Sequence, residues 1–242
     1  MTAALASLAE ALDTPAAWLQ PYLPAARTVL AAKSASVADA LNAARGVGVR
    51  FVEQAALPDD EPYESFIART ASVPTRDNLH DLFNGLIWLS YPQAKRRLNL
   101  IHAEEITARG SVAGARGPLR DALTLFDENA AILQAPAALV AALRARNWQA
   151  LFIDHRPQWA SARLALFGHA LLEKLMQPRK AITAHVWLVE ELTDEAIASS
   201  LTVERLVAKD FLPLPVLGVP GWWPANASPS FYNDADVFRA PR

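Results

Sequence analysis

Tyr91-Pro92 joins two stretches of helical periodicity, and this junction constrains the middle of the chain more than any other feature. Leu79, Leu82, Phe83, Leu86 and Ile87 recur at steps of three and four, which predicts one buried helical stripe. A residue before proline is pushed out of the α region, so that helix ends at Tyr91. Pro92 suits the first position of the next helix, where its missing N–H costs nothing. Ala94, Leu98, Ile101 and Ile106 give the second helix its apolar face. Thr75 or Asp77 is the expected N-cap of the first. A connection this short predicts antiparallel neighbours.

The polar residues of this pair carry the chemistry. His80 and Asn84 share one flank of the first helix, with Asp81 beside them. Lys95, Asn99 and His102 share a flank of the second, and the two flanks are expected to face each other. Gly85 lies mid-helix, where it costs roughly 1 kcal/mol relative to alanine. That cost implies a close approach to the backbone by another helix or by a ligand. Further along, His169 and Glu173 stand four apart, the spacing at which one helix face offers two metal ligands or an acid–base pair. A structural His–Glu contact is the simpler alternative.

Residues 1–48 are expected to form a helical N-terminal region, with helices near 3–12, 15–31 (bent by proline) and 36–45. Strands are expected near 49–53, 122–126, 130–134 and 185–189, and helices over 63–70, 136–145 and 194–210. The second and third strands form a hairpin turned at Asp127-Glu128-Asn129, residues that favour tight turns. Its carboxylates are read as turn-formers, with presentation at a strand end as the functional alternative. The segment 162–176 begins as strand or buried helix and ends as helix. Residues 212–242 alternate proline with large apolar groups and are expected to pack in extended form, burying Trp222 or Trp223. The sum is an α+β fold, mostly helical, in a single domain over 1–242 with a small, partly antiparallel sheet.

A chain of 242 residues that is 52% hydrophobic and 20% charged can build a large core. Its net charge of −2 argues against nucleic acid. The absence of cysteine excludes disulfides, thiolate zinc sites and cysteine nucleophiles. No run approaches the roughly 18 apolar residues of a membrane span, and the first residues lack a basic signal region, so a cytoplasmic protein is expected. The sequon at Asn226 is then chance. Lys95, Arg96, Arg97, Arg109, Arg116 and Arg120 against Glu104 and Glu105 make one basic window, part of it a glycine-containing loop over 109–118. Basic and glycine-rich backbone suits anions, but no nucleotide-loop pattern is present and a solvated linker is the plainer reading of the loop.

Three blocks, PTRDNLHDLFNGLIWLSYPQAKRRLN (74–99), RGPLRDALTLFDENAAIL (116–133) and LPVLGVPGWWPANASPSFYNDADVFRAPR (214–242), with GHALLEKL (168–175), resemble a bacterial family named domain of unknown function 3025. Ala130 stands where the family pattern has glycine. The resemblance implies one domain ending in the Pro/Trp tail and transfers no catalytic residue.

Two functions compete. One is a hydrolase acting on a phosphate-containing substrate through His80, Asp81, Asn84, His169 and Glu173. Lys95, Asn99 and Arg120 would bind substrate, and a divalent metal would be held among His80, Asp81, His169 and Glu173. The other is a non-catalytic module that binds a protein partner through the helix pair or the aromatic tail.

Overall fold

The computed structural model describes residues 1–44, 48–109 and 117–240. In chain order its elements are α1 (Ala3–Asp13), α2 (Leu23–Ala31), α3 (Val37–Asn42), β1 (Arg50–Glu53), α4 (Tyr63–Thr70) and β2 (Ser72–Thr75). The helix pair follows as α5 (Leu79–Ser90) and α6 (Pro92–Arg109), then α7 (Pro118–Asn129), β3 (Ala130–Gln134) and α8 (Ala137–Arg144). The last third holds β4 (Arg163–Leu166), α9 (His169–Lys174), β5 (Thr183–Leu188), α10 (Asp194–Ser200), α11 (Val203–Val207) and β6 (Leu212–Pro215). The fold is α+β and mostly helical. Most of the glycine- and arginine-containing loop expected over 109–118 lies outside the described residues.

Four strands form one sheet in the order β4-β3-β5-β6, with β3 and β5 parallel and both edge pairs antiparallel. β1 and β2 form a separate parallel pair. The central strand β3 is buried from Ala130 to Leu133, as a strand covered on both faces must be. β6 carries Pro213 and Pro215 and sits at a sheet edge, where only one side of the strand has to supply ladder donors. One hydrophobic cluster runs from Ala4 to Phe238.

The helix pair forms as its spacing predicts, with Pro92 opening α6. Asn78, not Thr75 or Asp77, caps α5: its Oδ1 accepts from the Asp81 N–H at 2.8 Å. Thr75 belongs to β2, and the Asp77 carboxylate accepts the Val37 N–H at 2.7 Å, tying α3 to the start of α5. The close approach at Gly85 is another helix. A Cβ there would lie 2.2 Å from Leu41 Cδ1 on α3.

The hairpin expected over 122–134 does not exist. Residues 122–126 belong to α7, and Asp127-Glu128-Asn129 is the last turn of that helix. Pro118 sits in its first turn, and Leu119, Ala122, Leu123 and Phe126 make a buried stripe at helical spacing. That stripe overrides the local strand-like composition of Ala122 to Phe126. The single helix expected over 194–210 is two. Leu201 leaves helical geometry, and Thr202 starts α11 by accepting the Arg205 N–H.

The tail is a strand followed by 3-10 turns at Val216–Gly218, Pro224–Ala227 and Pro229–Asn233. Leu214, Val216, Leu217, Val219, Tyr232 and Phe238 are its buried apolar side chains, whereas Trp222 and Trp223 are half-buried. The Asn226 side chain is buried and donates to the Leu217 and Val219 carbonyls at 2.8 and 2.7 Å, so its sequon is closed to modification.

Buried tyrosines give the fold a pH limit. Burial pushes Tyr22 well above its ordinary value, and burial again, with Asp194 opposing Arg163, pushes Tyr91 up to about 12. Below pH 10 both states hold these protons and stability is complete. As pH rises from 10 to 12 the unfolded chain ionises while the folded one does not, so stability falls. Tyr91 alone is expected to remove about 2–3 kcal/mol by pH 12, since each tenfold difference in proton affinity is worth about 1.36 kcal/mol. Urea unfolding at pH 8, 10, 11 and 12 measures this, and a flat profile would refute it.

Candidate metal centre

Five helices converge on a cavity of about 350 Å³. α4 supplies Tyr63 and Glu64; α5 supplies His80, Asp81 and Asn84; α6 supplies Lys95, Asn99 and His102; α7 supplies Asp127 and Glu128; α9 supplies His169. The volume suits a small molecule. Among the described residues that line the cavity, the carboxylates Glu64, Asp81, Asp127 and Glu128 outnumber the full cations Arg76 and Lys95 by two. A site built this way favours a divalent cation.

At one wall His80 and His169 meet. Their Nε2 atoms are 2.9 Å apart, with ring planes at 82°. Glu128 Oε1 lies 3.5 Å from His169 Nε2, and His80, Glu128 and His169 can each direct a ligand atom to a common point, all within 4.8 Å of one another. Behind the rings stand two more carboxylates. Glu173 Oε2 is 2.9 Å from His80 Nδ1, and Asp127 Oδ2 is 3.8 Å from His169 Nδ1. Nδ1 of His169 is buried and has no hydrogen-bond partner among the described residues.

Glu173 selects the tautomer of His80. Glu173 at 2.9 Å from His80 Nδ1 favours Nδ1–H on that ring, which leaves the His80 Nε2 lone pair free. His169 Nε2 lies 2.9 Å from that atom and 3.5 Å from Glu128 Oε1, so a proton on it is shared with His80 or Glu128, and a cation bound among the three would take that proton's place. Two imidazoles on one tetrahedral zinc stand roughly 3.3 Å apart, given Zn–N bonds of about 2.0–2.1 Å. The rings need to separate by only a few tenths of an ångström to accept one.

Local structure explains the placement. Gly168 precedes His169 and touches the end of α7: a Cβ on it would lie 2.4 Å from the Glu128 carbonyl oxygen and 2.5 Å from the Asn129 nitrogen. This contact sets Glu128 beside His169. Because α9 begins at His169, Glu173 falls one turn on, and the pair flanks His80 from both of its nitrogens.

The other sequence candidates divide. Asp81 is occupied by Arg76, which donates from its backbone N–H (2.7 Å), Nε (3.0 Å) and Nη2 (2.9 Å), so it stands outside the ligand cluster. Asn84 and Lys95 face each other as the helix pair requires: Lys95 Nζ donates to Asn84 Oδ1 at 2.7 Å and to the Asp127 carboxylate. Asn99 lines the cavity while donating to the Glu64 carbonyl at 3.0 Å. Arg120 is buried on α7 and is not among the described residues that line the cavity.

Glu128 and Asp127 are the residues that sequence reading placed in a turn. The signal was present in the steps Thr124, Asp127 and Glu128, which share one face once 118–129 is helix; all three line the cavity. Burial pushes the Asp127 carboxyl up, but the Lys95 ammonium and His169 outweigh it and hold it below its usual range. Burial likewise acts upward on Glu128 and is outweighed by its hydrogen bond and charge interaction with His169. Both carboxyls are therefore anionic near neutral pH and available to a cation.

No helix among the described residues is long and apolar enough to cross a membrane. Comparison with curated proteins and with solved structures returns no match. A family described as "Protein of unknown function (DUF3025)" matches residues 49–242, a span that holds every residue of the centre. That span is most of the chain, and the protein belongs to this family.

Proposed function

We propose that this protein is a metal-dependent hydrolase that acts on a small phosphate-containing substrate, with His80, His169 and Glu128 as metal ligands. The observation that carries the reading is the pair of Nε2 atoms converging at 2.9 Å with a carboxylate behind each ring. Imidazole and carboxylate together suit a divalent transition metal, zinc among them. Three protein ligands beside an open cavity leave a position for water, the arrangement of catalytic rather than structural zinc. Such an ion lowers the pKa of its water to about 7. Held by His80, His169 and Glu128, the ion would supply an activated water for hydrolysis of a phosphate ester, in which a P–O bond forms to the water oxygen, the P–O bond to the alkoxide breaks and the alkoxide takes the water's proton. Lys95 stands on the cavity floor with its charge held beside Asp127.

The interaction-module reading is less well supported, because the tail it would use is committed to the sheet and the core.

Zinc titration by calorimetry tests the proposal. One ion per chain is expected in the wild type, with affinity falling at least about 100-fold in His80→Ala and His169→Ala. Glu173→Gln is expected to lose about 10- to 100-fold, the usual cost of an outer partner. Metal-dependent cleavage of p-nitrophenyl phosphate, lost in the same variants, is the activity readout. Equal zinc binding by the wild type and the His80→Ala/His169→Ala double variant would overturn the centre.

A further inference from the structure

Away from the metal ligands, the cavity contains a hydrogen-bonded chain with donors left over. Asn84 Nδ2 donates to the Tyr63 hydroxyl oxygen at 3.1 Å, Lys95 Nζ donates to Asn84 Oδ1 at 2.7 Å, and Lys95 also donates to Asp127. An ammonium only donates, so Lys95 fixes which end of the Asn84 amide faces it. The amide nitrogen must then face Tyr63, whose oxygen serves as acceptor.

Each member of the chain has a hydrogen to spare. Tyr63 keeps its O–H, Asn84 keeps the second Nδ2–H, and Lys95 keeps a third N–H. None of the three has an acceptor among the described residues. Asn84 and Lys95 are buried and Tyr63 partly so, and all three line the cavity. Three spare donors gathered on one wall of the cavity, one of them the cation that also lies 5.5 Å from the Trp88 ring centroid, suit an acceptor that enters the cavity. Burial first, with Asp127 and Asp81 acting in the same direction, pushes the Tyr63 hydroxyl far above its ordinary value, so it remains a donor.

We infer that Tyr63, Asn84 and Lys95 form a subsite that binds an oxyanion of the substrate, a phosphate or a carboxylate group. Asp127 neutralises part of the Lys95 charge, and the cavity is net negative before a metal is bound. The subsite therefore works best with the cation in place at His80, His169 and Glu128, and in this respect it rests on the reading above. The metal would hold the reacting end of the substrate while the donor wall holds its anionic group, which favours small anionic molecules over neutral ones.

The test uses the full chain with one equivalent of Zn²⁺, titrated by calorimetry with inorganic phosphate and, separately, with acetate. The variant is Tyr63→Phe, which removes one donor and keeps the ring; its melting curve checks folding. Saturable binding of either anion is expected, and the tighter of the two identifies the group recognised. Tyr63→Phe is expected to weaken that binding about 10- to 100-fold, the worth of a hydrogen bond to a charged group, with zinc affinity unchanged. Zinc binding with no anion binding, or anion binding indifferent to Tyr63→Phe, overturns the subsite and leaves the metal centre standing. Tyr63-dependent phosphate binding in a protein that takes no zinc does the reverse.

Discussion

Gly168→Ala is expected to destabilise the protein by roughly 3 kcal/mol, the upper end of overpacking costs, and to weaken zinc binding about 10- to 100-fold. The backbone at Gly168 has φ −70° and ψ 118°, values that any residue adopts. Glycine is required for space alone. The added methyl would meet the Glu128 carbonyl at 2.4 Å and the Asn129 nitrogen at 2.5 Å, and these are backbone atoms at the end of a packed helix. They cannot swing aside as a side-chain tip would. Relief means moving the end of α7 from the start of α9, and that motion separates Glu128 from His169. Gly221 provides the contrast: its φ is +81° and nothing lies within 4 Å of an added Cβ. Gly221→Ala is therefore expected to cost about 1–2 kcal/mol of backbone strain and leave zinc affinity unchanged. Denaturant unfolding and zinc titration of both variants check the pair. A Gly168→Ala protein with wild-type zinc affinity would show that the α7–α9 contact does not position the centre.

Ending the chain at Leu212 is expected to unfold it outright. The cut removes most of β6, the edge strand paired with β5, together with six buried side chains: Leu214, Val216, Leu217, Val219, Tyr232 and Phe238. Full burial of such a side chain is worth roughly 1.5–3 kcal/mol, so the loss rivals the whole stability of about 5–15 kcal/mol typical of folded proteins. The cut also exposes Phe152, whose ring stacks on Tyr232 at 5.1 Å between centroids and packs on Gly218. The indole N–H of Trp148 loses the Arg239 carbonyl at 2.7 Å. Loss of the cooperative melt checks the prediction. A truncated chain that still melts cooperatively and binds zinc would show that the tail is a separable appendage.

The local pattern of residues made much of the fold legible. The α5–α6 pair could be read because its apolar steps and Pro92 act within a few residues of themselves. The same holds for Gly85, whose cost in a helix implied a close neighbour before Leu41 was identified as that neighbour. The strand expected over 122–126 rests on an apolar run before Asp127-Glu128-Asn129, while the stripe that makes α7 a helix begins at Leu119 and matters only against a core. With the helix missed, Asp127 and Glu128 looked like turn residues, although the spacing of Thr124, Asp127 and Glu128 already fitted one helical face.

What the sequence alone determined was which groups could do chemistry: His80 on one helix, His169 and Glu173 four apart on another, Asn84 and Lys95 on facing flanks. Their meeting was beyond it. His80 and His169 are 89 residues apart, and their contact depends on how α5 and α9 pack, on the room left by Gly168 and on where α7 ends. Helical periodicity is a short-range property written into neighbouring residues. The convergence of two imidazole nitrogens depends on every long-range contact that fixes those helices, and only the tertiary structure contains it.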